Sequence, residues 1–147
     1  MDTTERERLA ALLADEKVAV LVTQGEEYPT ATMQAFAETP ELEVLFIMNE
    51  GSYKFTNIAA RPKVAVMVDA REKGDIPTFK VSRAVIDGVA SEVPRGGAEW
   101  MKYEELFLKK APFEAPFFKY PTLRMIKVTP RRVSYAGADR FSFKAEF

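Results

Sequence analysis

The chain has no cysteine and no histidine among its 147 residues. Without cysteine there is no disulfide, no thiolate zinc site and no cysteine nucleophile. Without histidine there is no Ser-His-Asp triad, no histidine-held haem and no ordinary catalytic zinc site. Chemistry is left to carboxylates, Lys, Arg, Tyr or a bound cofactor. There is little net charge, with 21 basic residues against 22 acidic ones, which gives no global pull toward nucleic acid or anionic membrane. No apolar run approaches the roughly 20 residues that a spanning helix requires. The N-terminus, MDTTERERLAALL, is polar and then amphipathic, unlike a secretory signal. A soluble, cytoplasmic protein is the expectation.

Hydrophobic residues make up 47% of the chain and charged residues 29%, an ordinary balance for a globular protein. The length predicts one domain over 1–147 with one core. Thr4 and Glu7 have capping-box spacing, and Leu9, Leu12 and Leu13 follow on one face, so a first helix is expected over 4–15. Strands are expected over 17–23, 28–37, 43–49 and 63–69, from short apolar or alternating runs bounded by turns. A short helix over 52–60 places Phe55, Ile58 and Ala59 on one side and stops at Pro62. A charged loop follows over 70–77, then one long or bent strand over 78–93 with a bulge at Gly88. A third helix over 99–110 has Trp100, Tyr103, Leu106 and Phe107 together. Three prolines exclude regular structure from 111–121, and final strands over 123–129 and 131–136 are split by Pro130. Six or seven strands following one another directly favour an antiparallel barrel.

Two stretches bear on function. In Asn49-Glu50-Gly51-Ser52-Tyr53-Lys54, Ser52 is a good N-cap, and Lys54 falls in the first helical turn, where a cation opposes the helix dipole. A shared anion at the helix N-terminus explains that placement; on the local pattern alone, Ser52 as a simple cap and a surface pair between Lys54 and Glu50 is the favoured explanation and needs no ligand. In the strand YPTATMQAFA, Tyr28, Thr30, Thr32, Gln34 and Phe36 share one face, and Pro29, Ala31, Met33, Ala35 and Ala37 the other. The small face admits a flat ligand, or it packs on a helix. Glu38, Glu72 and Asp75 are the carboxylates with any claim on a cation. Lys119, Arg124, Lys127, Arg131 and Arg132 form a basic stretch whose spacing also suits an exposed sheet face. Phe113, Phe117, Phe118 and Tyr120 need cover from a ligand or a partner.

The run of Tyr-Pro-Thr-Ala-Thr-Met, then Phe-Ile-Met-Asn-Glu-Gly-Ser-Tyr-Lys, then a short helix ending in Arg-Pro, resembles the pyridoxamine 5′-phosphate oxidase-like FMN-binding split barrels. The likeness is detailed from Val18 to Asp69 and looser through Gly88 and 126–135. It implies a mainly β chain, a six- to seven-stranded antiparallel split barrel that binds FMN between two copies of itself. It implies that Ser52 and Lys54 hold the phosphate with Asn49 beside them, and that Tyr53 stands where the family often has a basic residue. It also implies that Thr32, Met33, Gln34 and Ala35 lie along the isoalloxazine ring, mostly through backbone, with Ile47 and Met48 touching it. Thr32 replaces an arginine of the true oxidase and Met48 a threonine. The Arg and His that hold the oxidase's substrate have no counterpart, so pyridoxamine phosphate is not the expected substrate. The expectations are an FMN-dependent oxidoreductase with unassigned substrate, a flavin-binding electron-transfer or storage protein, or a deazaflavin- or haem-handling relative.

Overall fold

The computed structural model describes residues 1–73 and 75–147, with the Lys73 side chain outside the description. Helix α1, Thr3–Asp15, begins one register earlier than the sequence spacing suggests. Asp2 caps it, and Glu5 closes the capping box in place of Thr4 and Glu7. Leu9, Leu12 and Leu13 are buried on one face, as expected.

The strands are β1 Val18–Gln24, β2 Pro29–Ala35, β3 Ala37–Glu38, β4 Val44–Asn49, β5 Lys63–Asp69, β6 Arg83–Val93, β7 Leu123–Ala136 and β8 Ser142–Glu146. They form one antiparallel sheet of eight strands in the order β2-β1-β5-β6-β7-β4-β3, with β8 also on β7. The expected strand 28–37 is therefore two strands. β2 pairs with β1 at one end of the sheet and β3 with β4 at the other. Only Phe36, fully buried, separates them. Its continuity curls the sheet into a half-barrel. Beyond that junction β2 and β4 diverge, and no strand fills the split between them among the described residues.

Alternation fills the barrel. Ala19, Leu21, Val64, Val66, Val68, Ala84 and Ile86 point inward with Phe46, Ile126 and Val128. A second cluster lies outside the barrel wall, where β4 and β7 are also covered on their other face. There Leu45 and Met125 meet Trp100, Tyr103 and Phe107 of α3, Ala98–Lys110, and Phe118 of the following segment. That segment, Pro112–Lys119, is a 3-10 helix and not the irregular stretch expected from its prolines. Pro112 stands at its start, where no N–H is needed.

The expected strand 78–93 starts at Arg83, after a 3-10 turn at Thr78–Lys80. The register does shift at Asp87/Gly88, but the extra residue belongs to the partner strand: Arg132 pairs Asp87, Pro130 pairs Gly88, and Arg131 bulges between them. The bulge resets the alternation, so Pro130 and Val133 both face inward. It also accommodates a proline within β7, which runs unbroken where two strands were expected. Strand β8 was not anticipated, because SFKAE is short and mixed; it is held by Phe143 stacking on Tyr135 at 5.2 Å.

Candidate cofactor site at the barrel split

Helix α2, Tyr53–Ala60, sets the position of the Asn49–Lys54 loop. Its buried face is Phe55, Asn57 and Ile58, and Ala59 is exposed, contrary to the helical-face expectation. Asn57 Nδ2 donates to Thr23 Oγ1 of β1 at 3.1 Å, and Arg61 Nε donates to the Gln24 carbonyl at 2.7 Å. Pro62 follows at once, as expected. The preceding loop is tied to β7 by Asn49 Nδ2 donating to Thr122 Oγ1 and by Arg124 donating to Glu50.

Ser52 is the N-cap: its Oγ accepts from Phe55 N at 3.3 Å and donates to the Asn49 carbonyl at 2.7 Å. The amides of Tyr53 and Lys54, the first two of the helix, have no intrahelical acceptor. Ser52 can meet a phosphate only by turning its proton away from Asn49. The Tyr53 side chain is 86% exposed.

Lys54 does not pair with Glu50, which Arg124 occupies. Its Nζ donates to Gln34 Oε1 at 2.7 Å. Gln34 Nε2 in turn donates to the Ile47 carbonyl at 3.2 Å, and Thr32 Oγ1 donates to Gln34 Oε1 at 3.4 Å. Gln34 thus spans the split from β2 to β4 and draws Thr32, Ile47 and Lys54 into one chain. The Lys54 ammonium is half-buried and makes no ion pair among the described residues, and that desolvation lowers its pKa from the usual 10.5. Met33 and Ala31 point the other way, out of the barrel, and Met33 is 70% exposed. Met48 is buried in the barrel core, whereas Ile47 faces the second cluster.

Two strand edges border the split. One edge of β2 pairs with β1, and the other has no strand partner among the described residues. β3 pairs with β4 only at Val44 and Leu45, so Phe46–Asn49 has no strand partner on that side among the described residues, although the Ile47 carbonyl accepts from Gln34 and the Asn49 carbonyl from Ser52. Backbone edges without a strand partner on both sides suit a flat heterocycle with a hydrogen-bonding rim. A cation without a carboxylate, next to two free amides, suits an anionic tail. The residues present therefore fit FMN. Phosphate would be held by Lys54, Ser52 and the Tyr53 and Lys54 amides, and the ring by the backbone of Thr32–Ala35 with Ile47 and Met48.

The pattern of the family described as pyridoxamine 5′-phosphate oxidase matches residues 6–137. The chain belongs to this family. Solved structures agree on the family's fold. A haem-binding protein from Mycobacterium smegmatis superposes with TM-score 0.87 at 16% identity, over 99% of this chain and 59% of that one. The haem storage protein HutZ of Vibrio cholerae gives 0.75 at 16%, over 85% and 89%. General Stress Protein 26 of Bacillus anthracis gives 0.67 at 15%, over 97% and 100%. At 59% of its length, the chain spans under two-thirds of the Mycobacterium protein. Among curated proteins none matches the chain by sequence.

Other sequence candidates are accounted for elsewhere. Glu38 pairs with Lys110, and no trio of metal-ligating side chains gathers among the described residues. In the basic stretch, Arg124, Lys127 and Arg132 are each in ion pairs with Glu50, Glu43 and Glu99, and Asp87. Among the described residues no helix is long and apolar enough to cross a membrane. Sequence reasoning missed Glu114, Thr122 and Leu123, which with Ile47, Met48 and Asn49 line a groove beside the split. The period of three in a 3-10 helix is the signal that would have found Glu114.

Proposed function

We propose that the chain is an FMN-binding oxidoreductase that works as a homodimer. The observation that carries the reading is Lys54: a half-buried, carboxylate-free cation beside the free amides of α2, at the mouth of a split with two open strand edges. When bound, the cofactor supplies the redox chemistry. The chain's own residues bind and orient it. Lys54 and the helix amides fix the anionic end, the edges of β2 and β4 fix the ring, and Gln34 holds the strands at their present spacing.

The outer sheet face supports the dimer. Reading across registered pairs, Met33, Val20, Met67 and Val85 form one row four strands wide. Ala31, Val22 and Ala65 form the row beside it. An antiparallel sheet facing water normally alternates to polar residues there. A row of Val and Met instead fits a second copy of the chain. The aromatic segment, from which a dimer was first expected, buries Phe118 within its own chain.

FMN fits the composition better than haem, because the chain offers neither imidazole nor thiolate as an axial ligand. Haem-binding relatives make haem the comparison ligand in the test. FMN, riboflavin and haem are each titrated into the purified chain, read by absorption and by thermal unfolding. Expected are FMN uptake and a rise in Tm larger with FMN than with riboflavin, since only FMN carries the phosphate. Equal shifts from the two flavins would remove the Lys54 phosphate site, and binding of haem alone would replace the reading. NAD(P)H consumption with an electron acceptor separates an oxidoreductase from a storage protein.

A further inference from the structure

The 3-10 helix Pro112–Lys119 repeats every three residues, so Glu114 and Phe117 share one face, and Tyr120, its C-cap, continues their column. That column forms one wall of the groove of about 390 Å³. The rest of the lining is Ile47, Met48 and Asn49 of β4, with Thr122 and Leu123. Phe118 is on a different face and packs edge-on against Trp100 and Phe107, which anchors the helix. Lys119 is also off the column. The Phe117 and Tyr120 rings lie 6.4 Å apart, tilted at 45°, and they are 47% and 57% exposed. They are two flat faces with nothing stacked between them and solvent.

The polar groups of the groove are unequal. Asn49 and Thr122 bond to each other at 3.1 Å. Nearby, Arg124 is committed to Glu50 and to the carbonyls of Pro121 and Leu123. Glu114 is half-buried, and its carboxylate has no hydrogen bond or ion pair among the described residues. A groove with one aromatic wall and one uncompensated carboxylate complements a ligand that is flat and positively charged. The volume accommodates a bicyclic aromatic. Ile47 belongs to both places: its side chain lines the groove and its carbonyl receives Gln34 in the split.

We propose that this groove is a binding subsite for a flat aromatic cation, opening onto the split; its relevance to redox chemistry rests on the flavin reading above. Phe117 and Tyr120 supply stacking faces, and Glu114 supplies the charge that selects cations over anions of the same shape.

The probes are N-methylquinolinium, neutral quinoline and naphthalene-1-sulfonate. Each is titrated calorimetrically into the full chain, with and without FMN. The cation is expected to bind and the sulfonate not to. Glu114→Gln should weaken the cation about threefold to thirtyfold and leave quinoline within about twofold. Phe117→Leu should weaken quinoline and quinolinium together, through lost stacking. FMN uptake should be unchanged in Glu114→Gln, because that residue is outside the FMN site. Equal binding of cation and sulfonate would overturn the proposal, as would an unchanged cation affinity in Glu114→Gln. Uptake of FMN without any binding of quinolinium removes the subsite and keeps the flavin site. Glu114-dependent binding of quinolinium without FMN uptake keeps the subsite and removes the flavin site.

Discussion

Lys54 Nζ donates to Gln34 Oε1 at 2.7 Å, joining the first turn of α2 to the strand that borders the split. The two residues are 20 apart in sequence. Their contact places the cation of the candidate phosphate site directly against the candidate ring site. A neutral amide oxygen is a weaker partner for an ammonium than a carboxylate, so a phosphate recruits the amine at the loss of one hydrogen bond to a neutral acceptor and not of an ion pair.

Lys54→Ala therefore tests the site most directly. A hydrogen bond to a charged group contributes about 1.5–3 kcal/mol, so FMN affinity should fall roughly 10- to 150-fold. Riboflavin affinity should change little. Folding should persist, because the substitution removes a half-buried charge that opposes the helix dipole. Parallel titrations of FMN and riboflavin into wild type and variant give the answer, and an unchanged FMN affinity would end the phosphate role.

The same lysine gives a pH dependence. Burial lowers its pKa below 10.5 in the free protein, and a bound phosphate raises it again. Between those two values binding takes up a proton, so FMN affinity should decline as pH rises through the alkaline range below 10.5. In the free protein the sign of stability is opposite: the unfolded chain holds the proton more tightly there, so this residue's contribution to stability grows with pH. Dissociation constants measured from neutral to alkaline pH should slope for wild type and flatten for Lys54→Ala.

The outer row predicts the assembly. Met33→Glu places a carboxylate at the β2 end of the proposed interface row, at a side chain that is 70% exposed in the monomer, so the fold should tolerate it. Light scattering should show wild type at twice 16.6 kDa and the variant near the single-chain mass. A wild-type monomer at micromolar concentration would remove the dimer.

Gly88 tests the bulge. A Cβ there would stand 2.6 Å from the Thr129 carbonyl oxygen and 2.8 Å from Val128 Cγ1. The first contact is backbone, which cannot swing aside. Gly88→Ala should destabilise the chain by about 1–3 kcal/mol, the range for overpacking. Urea denaturation would show it as a lowered midpoint.

Sequence by itself determined much of this protein. Alternation in KVAVLVT and KVAVMVD fixes which side chains fill the barrel, since a strand repeats every two residues whatever its neighbours. Ser52 and Pro62 bound α2 through purely local chemistry, the cap accepting an amide and the proline refusing the helix. The family was met as a resemblance, carried by the specific residues from Tyr28 to Lys54 and the Arg-Pro after α2 and not by the alternation. Tertiary structure decided the rest. β7 crosses Pro130 because Arg131 bulges opposite Gly88. Glu50 or Gln34 as the partner of Lys54 could not be read locally: Arg124, 74 residues from Glu50, occupies that carboxylate, and only the closing of the sheet carries Gln34 to the lysine. Long-range pairing sets such contacts, and a period along the chain holds no information about which distant strand will lie across the gap.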